Sequence, residues 1–152
     1  MTWGSWMPHK FKIAVSGCPR NCAEATIKDF GIVCVDSGYE LHVGGNGGIH
    51  VRATDLLCKV ATERQALDYC AAFIQLYREE ARYLERTAPW IERVGIDYVK
   101  SRIVEDDAGR EALRARFLYA QSFSQDDPWA ERAAGDRADL HQPLAPIAIA
   151  AE

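Results

Sequence analysis

The chain has 152 residues, 48% hydrophobic and 26% charged, the balance of one folded domain rather than a disordered segment or two full-sized domains. A formal net charge of -4 excludes the global basic field that recruits nucleic acid or anionic membrane. No apolar run approaches the roughly 20 residues that span a bilayer. The first residues, Met1-Thr2-Trp3-Gly4-Ser5-Trp6, lack the charged and apolar regions of a secretory signal, so a cytoplasmic location is expected, with no nucleic-acid or membrane partner.

Phe11, Ile13 and Val15 alternate with Lys10, Lys12 and Ala14, a period of two that predicts a half-buried strand stopping at Ser16-Gly17. Pro19 suits a first helical position, where its missing N–H is not needed, so a helix is predicted from Cys18-Pro19 to about Phe30, with Gly31 ending it. Ile32-Val33-Cys34-Val35 reads as a buried strand. Asp36-Ser37-Gly38 is turn chemistry, and Tyr39, Leu41 and Val43 alternate with Glu40 and His42 in a returning strand. A glycine loop follows, Gly44-Gly45-Asn46-Gly47-Gly48, and then a short alternating piece, Ile49-His50-Val51-Arg52.

The second half changes period. Thr62 and Gln65 have capping-box spacing. Leu67, Cys70, Phe73, Ile74, Tyr77, Ala81 and Leu84 then recur at intervals of three and four, predicting one long helix that ends before Pro89. Shorter helices are predicted at residues 90–94 and 97–104, and another after Asp107 that carries Leu113, Phe117 and Ala120 inward. From about Ser124 the pattern fails, which predicts a loosely held tail over residues 124–152. No internal repeat is visible. The order β-α-β-β, glycine loop, then helices predicts an α+β domain over residues 7–123.

Five cysteines, an odd number in a reducing compartment, argue against a disulfide framework. Cys18 and Cys22 stand four apart, so on a helix they share one face, near the positive end of its dipole. Both sulfurs then reach one metal centre, or both are ordinary buried thiols; spacing alone leaves the two readings open. The glycine loop lets backbone approach an anion or a macrocycle closely, or is simply a wide hairpin connection. It has neither the Walker ending nor the dinucleotide-binding spacing. Asn46 either donates to a carboxylate or satisfies the loop backbone. Cys34, Cys58 and Cys70 read as core thiols. His9, His42 and His50 lack metal-ligand spacing and read as solvent-facing, while His141 falls in the tail. The charge-rich run over residues 78–86 reads as a solvated helix face. No Ser/His/Asp or paired-carboxylate pattern suggests hydrolysis.

Ser16-Gly17-Cys18-Pro19-Arg20-Asn21-Cys22-Ala23-Glu24-Ala25 resembles the second cysteine pair of the nitrite and sulfite reductases that carry sirohaem and a 4Fe–4S cluster. Met7-Pro8-His9-Lys10, the glycine loop, Tyr77-Arg78-Glu79-Glu80 and Thr87-Ala88-Pro89-Trp90-Ile91-Glu92-Arg93 extend the likeness over roughly residues 7–132. The Cys-Pro-Arg-Asn-Cys form is most similar to the large subunit of assimilatory NAD(P)H nitrite reductases, in their C-terminal part.

The resemblance implies that Cys18 binds the cluster and that Cys22 binds it and is also the axial ligand of the sirohaem iron. It implies that Arg20, Asn21, Gly44, Gly45, Asn46, Gly47 and Gly48 line the cofactor pocket. It also implies an upstream Cys-x5-Cys pair, for which this sequence has no matching spacing, and upstream basic residues that bind the substrate. FAD and NAD(P)H would belong to the full-length enzyme only. The expected partners are the upstream half, supplying the other cysteine pair, and the nitrite reductase small subunit. The chain alone is expected to be inactive. Two other readings remain: a folded non-catalytic remnant or interaction module, and a stand-alone thiolate site for zinc or redox exchange.

Overall fold

In the computed structural model, which describes residues 5–123 together with 130 and 133–135, the apolar alternations pair into a mixed sheet. Strand β1 (Ile13–Ser16) runs parallel to β2 (Phe30–Val35), in register Ile13 to Phe30. A two-residue turn at Asp36-Ser37 sends β2 back into β3 (Gly38–Val43), with Val35 opposite Gly38. Gly38 takes φ 128°, and a Cβ there would run into the Val60 carbonyl, so this position requires glycine. A small hairpin, β4 (Asn46–Gly47) with β5 (Val51–Arg52), projects from the sheet. β6 (Asp55–Val60) then returns antiparallel to β3, giving the order β1-β2-β3-β6.

The strand at β6 was not expected from the sequence, and its register explains why. Leu41 pairs with Cys58 but His42 pairs with Leu56, so Leu57 is an extra residue in a β-bulge. The buried positions are therefore Leu57 and Val60, three apart, and the period of two is lost.

Four helices follow. Thr62 caps α1 (Glu63–Glu80) through a capping box: its hydroxyl accepts from Gln65 N, and the Gln65 side chain accepts from Thr62 N. The helix stops at Glu80, earlier than its apolar spacing predicts. Ala81 is extended, Leu84 sits at φ 65°, and the Glu85 carboxylate accepts from Arg82 N at 2.8 Å and from Arg93 at 2.7 Å. That pinned turn leads into α2 (Thr87–Val94), which contains Pro89 in its first turn, where an N–H has no helical acceptor. α3 (Ile96–Ile103) and α4 (Asp107–Gln121) complete the chain, α4 opened by an Asp106 side chain that accepts from Gly109 N. Leu113 and Phe117 are buried as expected, whereas Leu67 lies half in solvent.

The core lies between the sheet and α1. Phe73 has its ring centroid 5.7 Å from Phe30 and 5.8 Å from Trp90, and Tyr77 lies 5.6 Å from Trp90 and 5.9 Å from Phe11. Tilted and edge-on ring pairs at these separations each contribute about 0.5–1.5 kcal/mol beyond burial. The Tyr77 hydroxyl donates to the Glu85 carbonyl at 2.6 Å, tying the end of α1 to the turn after it. The tail expected over residues 124–152 lies almost entirely outside the described residues, as does His141.

Candidate functional site

Cys18 and Cys22 sit on a loop. The helix predicted from Cys18 to Phe30 is absent; the chain makes a train of turns and one short 3-10 turn at Ala25–Ile27. Asn21 N donates to Cys18 O, Glu24 N to Asn21 O, and Ile27 N to Glu24 O, so each turn starts where the last one ends. Asn21 and Glu24 both occupy the left-handed region, at φ 57° and 56°, which interrupts a helix. Asn21 supplies the compensation: its side-chain oxygen accepts from Ser16 Oγ at 3.1 Å and from Thr26 N, and its amide donates to Thr26 Oγ1 at 2.6 Å. Local side-chain bonds of this kind compete with helix formation, and here they win. The argument that one helix face and its dipole serve both sulfurs therefore falls. Gly31 is correspondingly no helix cap; it lies inside β2, where a Cβ would overlap the Ala25 carbonyl.

The loop leaves both thiols exposed, with Arg20 also in solvent. The remaining cysteines differ. Cys34 is half-buried on β2. Burial pushes the Cys58 thiol up to about 11 and the Cys70 thiol up to about 12, so both stay protonated near neutral pH. Among the described residues no group of three or more His, Cys, Asp or Glu side chains could hold a metal ion. Cys18 and Cys22 are thus two available sulfur donors, half of the four thiolates that a 4Fe–4S cluster takes. The residues present fit one half of such a group.

The glycine loop leaves β3 beside the N-terminal end of β2, where Val43 pairs with Phe30. Gly44 N donates to Asp29 O at 3.0 Å and Gly45 N to Lys28 O at 2.9 Å, so these two amides are spent on backbone. A Cβ on Gly45 would fall 2.6 Å from the Ile27 carbonyl carbon, which explains glycine there by packing. Asn46 donates to His50 O and accepts from Gly48 N, satisfying the loop. Gly47 and Gly48 line a small cavity. Arg52 clamps the loop from outside, donating to Gly44 O at 2.7 Å and pairing with Asp55 and Glu92.

Beneath the loop lies a residue the sequence reading passed over. Asp29 is fully buried and accepts from Lys12 N at 2.8 Å, from Arg86 in a two-pronged pair and from the Thr87 hydroxyl. Arg86 thus leaves the charge-rich run, which is no single helix face, to close a long-range ion pair. His42 also departs from expectation: its side chain is mostly covered, with Nδ1 3.2 Å from Thr54 Oγ1 and Nε2 3.5 Å from Glu40. No spacing rule predicts a partner 57 residues away. An acidic residue just before an apolar strand was the one available signal.

Residues 1–111 match the nitrite and sulphite reductase 4Fe-4S domain, and the chain belongs to that family. It is 54% identical over 122 residues to an NAD(P)H nitrite reductase of Bacillus subtilis (strain 168), an alignment covering 80% of this chain and 15% of the relative. It is 44% identical over 107 residues to the NADH nitrite reductase large subunit of Escherichia coli (strain K12), covering 69% of this chain and 13% of that one. An assimilatory-type sulfite reductase of Nitratidesulfovibrio vulgaris is 32% identical over 101 residues, covering 66% and 46%. The chain therefore spans about a seventh of the length of the two nitrite reductases. Among the described residues no helix is long and apolar enough to cross a membrane.

Proposed function

We propose that this chain is the C-terminal portion of an assimilatory nitrite reductase that reduces nitrite to ammonia with NAD(P)H electrons. Cys18 and Cys22 supply one of the two thiolate pairs of a 4Fe–4S cluster, and Cys22 also binds the sirohaem iron. The observation that carries this reading is the exposed thiol pair in Cys-Pro-Arg-Asn-Cys, held on turns that Asn21 braces. When bound, the cluster and the sirohaem would supply the one-electron redox chemistry that reduction of nitrite needs. The chain's own work is positional: Asn21 fixes the turn between the sulfurs, and Asp29 with Arg86 anchors the base of the glycine loop. FAD and the nicotinamide site belong to other parts of the full-length enzyme, and the small subunit is its further partner.

The upstream half of the same enzyme is the partner that completes the site. β1 supports this, being an edge strand with β2 on one side only. Ile13 and Val15, which the alternation assigns to the apolar face of a half-buried strand, are instead 38% and 55% exposed there. An edge with apolar side chains in solvent is a template for a further strand.

The test combines this chain with the upstream portion of the Bacillus subtilis relative, reconstituted anaerobically with iron, sulfide and sirohaem. The expected result is a four-iron cluster and ammonia formation in the complex, with labile, substoichiometric iron and no ammonia from this chain alone. A stable four-iron cluster on this chain by itself would overturn the two-ligand assignment. A complex that assembles yet binds neither centre would favour the non-catalytic interaction module.

A further inference from the structure

Trp6 and Tyr83 are 67% and 87% exposed, and with Pro8 and Ala81 they line an open groove of about 350 Å³ at the last turn of α1. Apolar side chains scattered singly over a surface need no account, but grouped around one groove they mark an interaction surface. The groove is held in shape. Leu84 N donates to Pro8 O at 3.1 Å, which fastens the segment carrying Trp6 to the turn carrying Tyr83. The Gln121 side chain donates to Ser5 Oγ, so the C-terminal end of α4 is fastened one residue from Trp6. The rim carries one cation, Arg78, and one anion, Glu79, the latter paired with Arg116 at 2.7 Å. Opposed charges favour neither an acidic nor a basic ligand, and an uncharged one fits.

The chain itself carries such a ligand. Of its six prolines only Pro143 and Pro146 stand three apart, in Pro143-Leu144-Ala145-Pro146, and residues 142–149 carry no charge. Proline fixes its own φ and biases the residue before it toward extended backbone. The sequence therefore favours polyproline II, whose three residues per turn bring both rings to one side. Such segments lose little entropy on binding and dock in grooves lined with aromatic side chains. Residues 136–152 lie outside the described ones and beyond the matched family domain, which covers residues 1–111. The described chain leaves α4 beside the groove, and 19 residues separate Phe123 from Pro143. Extended, they span roughly 60 Å, so reach does not limit docking. A tether of this kind holds its segment at an effective concentration on the order of millimolar, where even weak contacts are occupied.

We propose that residues 143–146 of this same chain dock in the groove between Trp6 and Tyr83, with the proline rings against the two aromatic side chains. The Trp6 indole N–H and the Tyr83 hydroxyl are donors on side chains mostly in solvent, and they suit the carbonyls of a proline-rich segment. Docking covers apolar surface that the fold leaves in water. The groove stands apart from the two exposed cysteines, and nothing in this inference depends on the cofactor reading.

The experiment uses the whole chain, labelled with nitrogen-15, and reads the Trp6 indole N–H with the Ala81 and Tyr83 amides. The parent is compared with Pro143→Gly/Pro146→Gly, and a synthetic peptide of residues 141–149 is then added to that double variant. The substitutions are expected to displace all three signals, and the peptide to return them saturably toward their parent positions. Adding Trp6→Ala to the double variant should weaken the peptide roughly tenfold or more, read at Ala81 and Tyr83, as truncation of an aromatic anchor does. The Tyr119 amide, beside the separate exposed pair of Tyr119 and Phe123, should not respond to the peptide. The buried Trp90 indole reports that each variant is folded. Identical signals in parent and double variant would overturn the docking, as would peptide shifts at Tyr119 in place of Trp6. Parent signals that move to the variant's positions on dilution would overturn its intramolecular form and make a second copy's segment the occupant.

Discussion

The aromatic layer under α1 and the cysteine loop lie in one small domain and are built by opposite means. Phe30, Phe73, Tyr77 and Trp90 are all fully buried and hold one another through ring contacts between three elements, β2, α1 and α2. The loop from Gly17 to Glu24 buries almost nothing and is held by three turn bonds and one asparagine. The first region derives its order from the hydrophobic effect, which tolerates no gap. The second derives its order from polar bonds, which leave sulfur free to face a ligand. Fold stability and chemical availability are thereby assigned to different residues, and substitutions should separate them.

The largest effect on folding should come from Trp90→Ala. Removing a fully buried indole forfeits its transfer energy and leaves a cavity, about 3–5 kcal/mol, read as a lower urea midpoint at unchanged slope. Trp90→Phe sharpens the point. The Trp90 Nε1 has no hydrogen-bond partner among the described residues, so the phenylalanine loses no bond and should cost well under half as much. Equal losses in the two variants would mean that ring area is not what holds this layer.

Next in size is Asp29→Asn, on the border between the two regions. It leaves Arg86 facing a neutral group beneath a buried contact, an expected loss of about 3 kcal/mol. Because Gly44 N bonds to Asp29 O, the loss should also speed hydrogen exchange at the Gly44 and Gly45 amides. Destabilisation with unchanged exchange there would confine Asp29 to a core role.

This border also marks where sequence reasoning stops. The α+β class, the hairpin through Gly38, the capping box at Thr62 and the inward Leu113 and Phe117 were legible because each depends on neighbours within a turn or two. The cysteine helix was misread because Pro19 permits a helix start without requiring one, and nothing local reveals that Asn21 will bond Ser16 and Thr26 instead. β6 was missed because its bulge erased the alternation. The Asp29–Arg86 pair depends on where α2 lands, which is tertiary information. Of the candidate site, the motif singles out the sulfur pair, whose role as ligands is the proposal above, but it does not reveal the loop conformation.

A smaller effect is expected at Glu85, which pins the turn after α1. Hydrogen bonding from Arg93 holds its carboxyl below the ordinary value of 4.5. A depressed carboxyl contributes stability that is complete above its unfolded value and is lost as pH falls through the folded one. The parent should therefore lose up to about 1 kcal/mol relative to Glu85→Gln only below about pH 4.5, with parallel behaviour from pH 5 to 8. Divergence at neutral pH instead would assign the pH dependence to another group.

The smallest effect on folding, and the largest on cofactors, should come from the loop sulfurs. Cys18 and Cys22 are exposed, so Cys18→Ser and Cys22→Ser should each change stability by no more than about 0.5 kcal/mol. Cys70→Ala, in the buried layer, should cost about 1–2 kcal/mol and leave bound iron unchanged. The same division predicts that an alkylating reagent at pH 8 labels Cys18 and Cys22 in the folded chain and spares Cys70, whose thiol is held protonated by burial. In the complex with the upstream portion the two serines should then part company. Cys18→Ser acts on the cluster signal in electron paramagnetic resonance and reaches the sirohaem absorption only indirectly. Cys22→Ser changes both at once, because one sulfur serves two irons in the proposed arrangement. Intact sirohaem bands in Cys22→Ser would remove the bridge. Cofactor loss in Cys70→Ala matching that in the serines would mean that the core and the loop do not divide the work.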